Sequence, residues 1–215
     1  MTRRIAAFIA LTLTLFAGVA AAQSLITRYV AGDHYQVIDN PVAQPEDGKI
    51  QVVEFFLYSC PHCYHLEPEL KDWRKTLGDD VEFSRVPVLF GAGGQVYARL
   101  YYAAEQLGVL DKVHEDIFTA IHEQGRRLLS EDDIRDFMED HGVDGDRFAE
   151  AFDSDAVSDK VRAAGETMRA FRVTATPSLG VAGQYYLSGR SAGSNEKMFD
   201  VADYLIAQQR AANAD

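Results

Sequence analysis

Residues 50–58 limit the possible fold of this chain more than any other segment. They read IQVVEFFLY, a nearly continuous run of β-branched and aromatic side chains that predicts a β-strand. A strand with one solvated face alternates apolar and polar residues, whereas a strand buried on both faces stays apolar along its length. We therefore expect residues 50–58 to form the central strand of a sheet that is covered on both sides.

The order of the elements predicts a sheet whose sequence is divided by a block of helices. Strand patterns occupy residues 50–58, 81–86, 178–181 and 184–187. Helical spacing of apolar residues follows the first strand at residues 61–76 and then dominates residues 95–169. Ala182-Gly183 is predicted to form the tight turn of the last hairpin. This order predicts an α/β fold with an inserted helical part of roughly 75 residues.

The first 22 residues are predicted to be a secretory signal peptide. Arg3 and Arg4 precede an apolar run that ends in three alanines, which fits an A-x-A cleavage site after Ala22. The alternative is an uncleaved membrane anchor, but the run is short for a span and small residues crowd its end. Cleavage removes two arginines and no acid, which changes the formal charge from −12 to −14. An acidic surface argues against a nucleic-acid partner, because phosphate binding needs basic patches.

The chain has only two cysteines, Cys60 and Cys63, directly after the predicted central strand. A C-x-x-C pair can be half of a zinc site, a structural turn or a redox pair. His62 and His65 bring the nominal zinc ligands to four, but His62 lies between the cysteines and no second ligand pair occurs elsewhere. The position between a buried strand and a helix favours the redox pair, in the oxidising compartment that export implies.

The position of Cys60 predicts that it is the reactive thiol. At a helix N-terminus, unpaired N–H groups and the positive end of the helix dipole favour a thiolate, and the thiolate is the nucleophile of disulfide exchange. His62 can add a hydrogen bond or a positive charge to the Cys60 sulfur, or it can be an exposed polar residue of the first turn. Cys63, one turn further, is predicted to be buried and to act as the resolving thiol.

The segments EFF at residues 54–56 and CPHCY at residues 60–64 resemble the active-site strand and helix of the thioredoxin superfamily, and specifically of DsbA-type thiol:disulfide oxidoreductases. That family has a helical domain inserted into a thioredoxin fold, as the order of elements also indicates. The resemblance covers nearly all of the mature chain. It implies a discontinuous thioredoxin-like domain at residues 23–88 and 170–215 and a helical domain at residues 89–169.

The resemblance also extends to Thr176-Pro177, which matches the family's cis-proline loop beside the nucleophilic cysteine. There the backbone before the proline pairs with an extended substrate peptide; an ordinary trans proline is the alternative. Thr176 stands where some close family members have valine. Gly180 stands where a bulkier residue is usual, so it is expected to leave room nearby or to mark a bulge.

Glu54 resembles the family's buried acid beneath the active site. Buried without a partner, it would have a raised pKa and could help to move a proton to or from Cys63. The alternative is an acid at the strand edge that reaches water. The resemblance thus gives a list of predicted catalytic residues, Cys60, Cys63, His62, Pro61 and Glu54, and of predicted substrate-binding residues, Thr176 and Pro177.

The function implied by the resemblance is that of a monomeric periplasmic dithiol oxidase without bound cofactor or metal. Reduced, unfolded exported polypeptides would be its substrates, and a DsbB-like, quinone-linked membrane protein would reoxidise it. One alternative is a disulfide isomerase or reductant, although the separate dimerisation domain usual in isomerases is not visible. Another is a chaperone that binds peptides beside Pro177 without turnover. The oxidase interpretation predicts that the reduced protein is more stable than the oxidised one.

Overall fold

The computed structural model describes residues 28–43 and 47–214, so the predicted signal peptide and its cleavage site lie outside the described residues. The described strands are β1 (Gln36–Val37), β2 (Ile50–Phe56), β3 (Val81–Pro87), β4 (Ser178–Val181) and β5 (Tyr185–Ser188). The described helices are α1 (Pro61–Arg74), α2 (Gly94–Gln106), α3 (Leu110–His122), α4 (Glu131–Asp140), α5 (Gly145–Asp153), α6 (Asp155–Ala170), α7 (Gly189–Ala192) and α8 (Lys197–Asn213). None of these helices has the length and apolarity that a membrane crossing requires.

The strands form one mixed sheet in the order β1-β5-β4-β2-β3. Strand β2 pairs in parallel with β3 through the crossover helix α1, and antiparallel with β4. Every residue of β2 except Gln51 is buried. Val52 packs in the cluster formed with α1 and α8, whereas Val53 and Phe55 belong to the cluster on the other face. The prediction of a strand covered on both sides is confirmed.

The hairpin between β4 and β5 turns where the sequence predicts. Ala182 and Gly183 have φ angles of 51° and 64°, and the carbonyl of Val181 accepts a hydrogen bond from the Gln184 N–H at 3.1 Å. Two central residues in the left-handed region are what a type I′ hairpin turn requires.

Helices α2–α6 lie between β3 and β4 in the chain, which confirms the helical insertion. Their apolar faces share one buried cluster with Phe56 at the end of β2, with Tyr58 in the following turn and with Cys63 on α1. The insertion therefore packs directly against the segment that carries the cysteines. The domain boundaries at residues 88 and 170 stay a prediction.

Gly180 neither leaves room nor marks a bulge, contrary to our expectation. It continues the register of the sheet, opposite Val53 on one side and Tyr186 on the other. A Cβ placed on Gly180 would lie 2.5 Å from Cε1 of Phe171. The Phe171 ring, which packs against Phe55 with centroids 5.2 Å apart, fills the space that a larger residue would occupy.

Candidate redox site

The end of β2 and the start of α1 place the two thiols in different surroundings. Cys60 is the residue before the first helical position, with extended backbone, and its sulfur is partly exposed. Its N–H donates to the carbonyl of Leu57 at 2.9 Å, which closes the turn that leads into the helix. Cys63, one turn into α1, is completely buried. Both are free thiols, so this geometry is that of the reduced protein.

The Cys60 thiol has its pKa lowered from 9.0 to about 5. The largest cause is a hydrogen bond with the Cys63 thiol; partial burial opposes it. The Thr176 side chain and the backbone N–H groups of Cys63 and His62 lower the pKa further. The direction agrees with the expectation for a thiol at a helix N-terminus.

The Cys63 thiol has its pKa raised well above 9.0, chiefly by burial and then by its hydrogen bond to Cys60. The negative charge of Glu54 raises it further. At neutral pH the pair therefore holds one thiolate, at the exposed sulfur, and one thiol, at the buried sulfur.

The contribution of His62 differs in kind from the predicted one. Its side chain is exposed, and within residues 28–43 and 47–214 its imidazole makes no hydrogen bond. The part of His62 that lowers the pKa of Cys60 is its backbone N–H. The effect of His62 in this structure is thus a main-chain effect, and a role for its side chain stays a prediction.

The loop before β4 lies against the reactive sulfur. The Thr176–Pro177 peptide bond is cis, as predicted. The carbonyl oxygen of Thr176 is 3.4 Å from Sγ of Cys60, where it can accept a hydrogen bond from the protonated thiol. Pro177 is buried, whereas Thr176 is only half-buried. The two sequence segments that carry the resemblance are therefore in contact.

Glu54 is buried, with 1% of its surface exposed, so the strand-edge alternative is wrong. It also has a partner. Nε of Arg85 donates to Oε2 of Glu54 at 2.7 Å, and Nη2 of Arg85 donates to Oε2 of Glu67 at 2.8 Å. Arg85 lies opposite Glu54 in the parallel register of β2 and β3, and Glu67 is on α1. One guanidinium thus forms ion pairs with two buried carboxylates.

The pKa values of Glu54 and Glu67 are both raised, because burial outweighs the stabilising charge of Arg85. Among the described residues, Oε1 of Glu54 has no hydrogen-bond partner. Oε1 of Glu67 accepts from Nε2 of His114 at 3.5 Å, and burial lowers the pKa of His114 to about 3, so this imidazole is neutral. The two carboxylates of Glu54 and Glu67 outnumber the single guanidinium of Arg85. This buried cluster of three side chains can therefore accept a proton.

Sequence reasoning missed Arg85 and Glu67. The signal that could have found Arg85 is its place as the fifth residue of β3, level with Glu54 as the fifth residue of β2. Glu67 had a weaker signal: it follows Cys63 by four residues and so lies on the same face of α1.

The site lies in a part of the chain that matches a known protein family. The family model described as DSBA-like thioredoxin domain matches residues 51–205. The chain belongs to this family. It is 42% identical over 172 residues to the thiol:disulfide interchange protein DsbA of Azotobacter vinelandii, covering 80% of this chain and 79% of that protein. The DsbA of Pseudomonas aeruginosa strain PAO1 is 38% identical over 184 residues, or 86% of this chain and 87% of the relative.

A crystal structure of Pseudomonas aeruginosa DsbA superposes with a TM-score of 0.83 at 37% identity, covering 87% of this chain and 97% of that chain. The DsbA-like family therefore accounts for both halves of the molecule, the thioredoxin fold and its helical insertion. The chain is a thiol:disulfide oxidoreductase of this family, acting on protein thiols.

Proposed function

We propose that the chain introduces disulfide bonds into exported proteins by dithiol–disulfide exchange through Cys60 and Cys63. The observation that carries this proposal is the opposite displacement of the two thiol pKa values, to about 5 at the partly exposed Cys60 and well above 9.0 at the buried Cys63. A thiol of low pKa is a good leaving group in exchange. An oxidase needs that property at the sulfur that bonds to the substrate.

In the proposed reaction, a substrate thiolate attacks Sγ of Cys60 in the Cys60–Cys63 disulfide. The sulfur–sulfur bond breaks, and Cys63 leaves and takes up a proton. The substrate's second thiolate then attacks the mixed disulfide and releases Cys60 as a thiolate. Two electrons pass from the substrate dithiol to the protein, one substrate proton ends on Cys63 and the other goes to solvent.

Glu54 is the group proposed to supply the proton that Cys63 needs. Its negative charge acts on Cys63, and because burial raises its pKa it binds a proton more readily than an exposed carboxylate and can pass that proton to the departing Cys63. Pro61 has a separate proposed role. It fills the first helical position without an N–H, so the first amides of the helix near the sulfur are those of His62 and Cys63.

Thr176 and Pro177 are proposed to bind the substrate, because the main chain of Thr176 borders the Cys60 sulfur. An extended peptide placed there would present its cysteine to Cys60. For the mature chain we propose a periplasmic location, with the signal peptide cleaved after Ala22. We also propose that it is a monomer without bound cofactor and that a DsbB-like membrane protein reoxidises it.

The proposal is tested by equilibrating the protein with glutathione redox buffers and measuring its reduction potential. An oxidase gives a high potential, whereas a thioredoxin-like reductant gives a low one.

In the reduced protein at mildly acidic pH, iodoacetamide should label Cys60 well before Cys63. Cys63→Ala, mixed with an unfolded substrate that carries a disulfide, should accumulate mixed disulfides, because its Cys60 thiolate attacks the substrate disulfide, releases one substrate thiolate and has no Cys63 to resolve the product. The matched variant Cys60→Ala should not. Equal labelling of both thiols would contradict the assigned roles.

A further inference from the structure

The last turn of α3, in the helical insertion, contacts the residues on both sides of the C-x-x-C motif. On one side, Nε2 of His122 lies 2.7 Å from the carbonyl oxygen of Tyr58. On the other side, the His122 ring stacks on Tyr64, with centroids 4.9 Å apart and planes at 7°. The Tyr64 hydroxyl also donates to the carboxylate of Glu123. One imidazole therefore touches the residue two before Cys60 and the residue one after Cys63.

The tautomer of His122 follows from its partner. A carbonyl oxygen can only accept, so Nε2 of His122 carries the hydrogen and donates it. Tyr58 is completely buried, which makes an unpaired carbonyl there costly. The same helix also binds the Tyr58 side chain, whose hydroxyl donates to Nδ1 of His114 at 2.8 Å. Helix α3 thus holds Tyr58 at its main chain and at its side chain.

The peptide group fixed by His122 is the centre of the turn that delivers Cys60. The Cys60 N–H donates to the carbonyl of Leu57, so Tyr58 and Ser59 are the two central residues of that turn. Rotation of the Tyr58–Ser59 peptide would move the Cys60 sulfur relative to the amides of His62 and Cys63. Beyond the motif, the Tyr64 N–H donates to the Cys60 carbonyl at 3.1 Å, which links the stacked ring to the same residue.

We infer that His122 is a positioning residue for disulfide exchange: it locks the Tyr58–Ser59 peptide and the Tyr64 ring, and so holds the Cys60 sulfur among its hydrogen-bond donors. Such donors stabilise a thiolate only when they are held to within roughly 0.5 Å of their best geometry. The inference rests on the proposed role of Cys60 as the nucleophile. Through the hydrogen bond to Tyr58 and the ring stack on Tyr64, the helical insertion thus contributes to disulfide exchange at Cys60.

Two variants separate the two contacts of His122. His122→Phe keeps a ring that can stack on Tyr64 but has no N–H for the Tyr58 carbonyl. His122→Gln loses the ring but carries an amide N–H at nearly the reach of Nε2. His141 provides the matched control, because its Nδ1 donates to the Phe137 carbonyl at 2.6 Å and its ring packs on Phe137 at 4.1 Å, away from the motif.

The readouts are the Cys60 pKa, from the ultraviolet absorbance of the thiolate, and the equilibrium constant with glutathione. His122→Phe should raise the Cys60 pKa and lower the oxidising equilibrium constant by about threefold to tenfold, the size expected for one lost hydrogen bond. His122→Gln should stay within about twofold of the wild type by the same reasoning. His141→Phe should leave both readouts unchanged, even where it lowers stability.

An unchanged pKa and equilibrium constant in a folded His122→Phe protein would overturn the inference, because a merely structural histidine would behave in that way. If His122→Phe does not fold, the Cys60 pKa of His122→Gln is compared with that of His122→Asn to test the inference. The asparagine amide is one methylene shorter, so equal pKa values in these two variants would overturn the inference as well. A wild-type Cys60 without a lowered pKa would instead refute the proposed function itself.

Discussion

The stability of the reduced protein relative to the oxidised protein is expected to rise with pH between 5 and 8. Folding lowers the pKa of Cys60 from 9.0 to about 5. A group with a depressed folded pKa adds stability that is complete above the unfolded pKa and is lost as the pH falls through the folded pKa. Cys63 acts in the opposite direction, but only near and above its unfolded value of 9.0, because its folded pKa is raised.

The magnitude follows from the same values. A thiol that titrates at about 5 when folded and 9.0 when unfolded would contribute at most about 2.3 kcal/mol more at pH 7 than at pH 5. The Cys60 sulfur is partly exposed, and solvent screens its interactions, so we expect about 1 kcal/mol. The disulfide's own contribution, which is small because the loop that it closes is so short, does not depend on pH. The change of the stability difference with pH therefore reports the Cys60 thiolate alone. The sign of that difference at a single pH also includes the contribution of the disulfide.

Urea unfolding of both redox forms at pH 5, 6, 7 and 8 measures this difference. Cys60→Ser is the matched control, because it keeps the size of the side chain and removes the thiolate. Its stability relative to the oxidised wild type should lack the rise with pH. A difference that stays flat in the wild type, or that rises equally in Cys60→Ser, would refute the electrostatic argument.

Three further changes have expected outcomes. Thr176→Val removes a group that lowers the pKa of Cys60, so the thiolate titration should move to higher pH and the glutathione equilibrium should become less oxidising, by about threefold. Gly180→Ala places a methyl group against Phe171 and should lower the free energy of unfolding by about 1–3 kcal/mol, with partial recovery when Phe171→Leu is added. Arg85→Met leaves two buried carboxylates without their cation and should cost about 3–5 kcal/mol at pH 7 in urea unfolding. That cost should shrink as the pH falls, because the pKa values of both carboxylates are raised and protonation removes their unpaired charge.

The parts of the fold that could be predicted from the sequence are those set by neighbours in the chain. The apolar run of β2 and the Ala182-Gly183 turn depend on side-chain periodicity and local backbone preference. The position of Cys60 at a helix start is local as well. These features were confirmed because no distant contact opposes them.

The parts that could not be predicted depend on contacts between distant segments. Arg85 meets Glu54 only through the register of two parallel strands, and Phe171 reaches Gly180 from the end of the helical insertion. His122 reaches Tyr58 across 64 residues. The motif reveals which residue carries the thiolate, but the hydrogen bonds that stabilise it come from two separate parts of the chain, residues 62–63 and Thr176.

The unequal surroundings of the two sulfurs determine how many protons accompany reduction. Between pH 5 and 9, Cys60 accepts its electrons as a thiolate, whereas Cys63 must become a thiol, because burial and the nearby charge of Glu54 disfavour a second anion. Reduction thus takes up two electrons and one proton. That proton must arrive at a sulfur without solvent exposure, beside a cluster in which two carboxylates share Arg85. In the proposed reaction, the burial that raises the pKa values of these carboxylates also keeps a proton available where Cys63 leaves the disulfide.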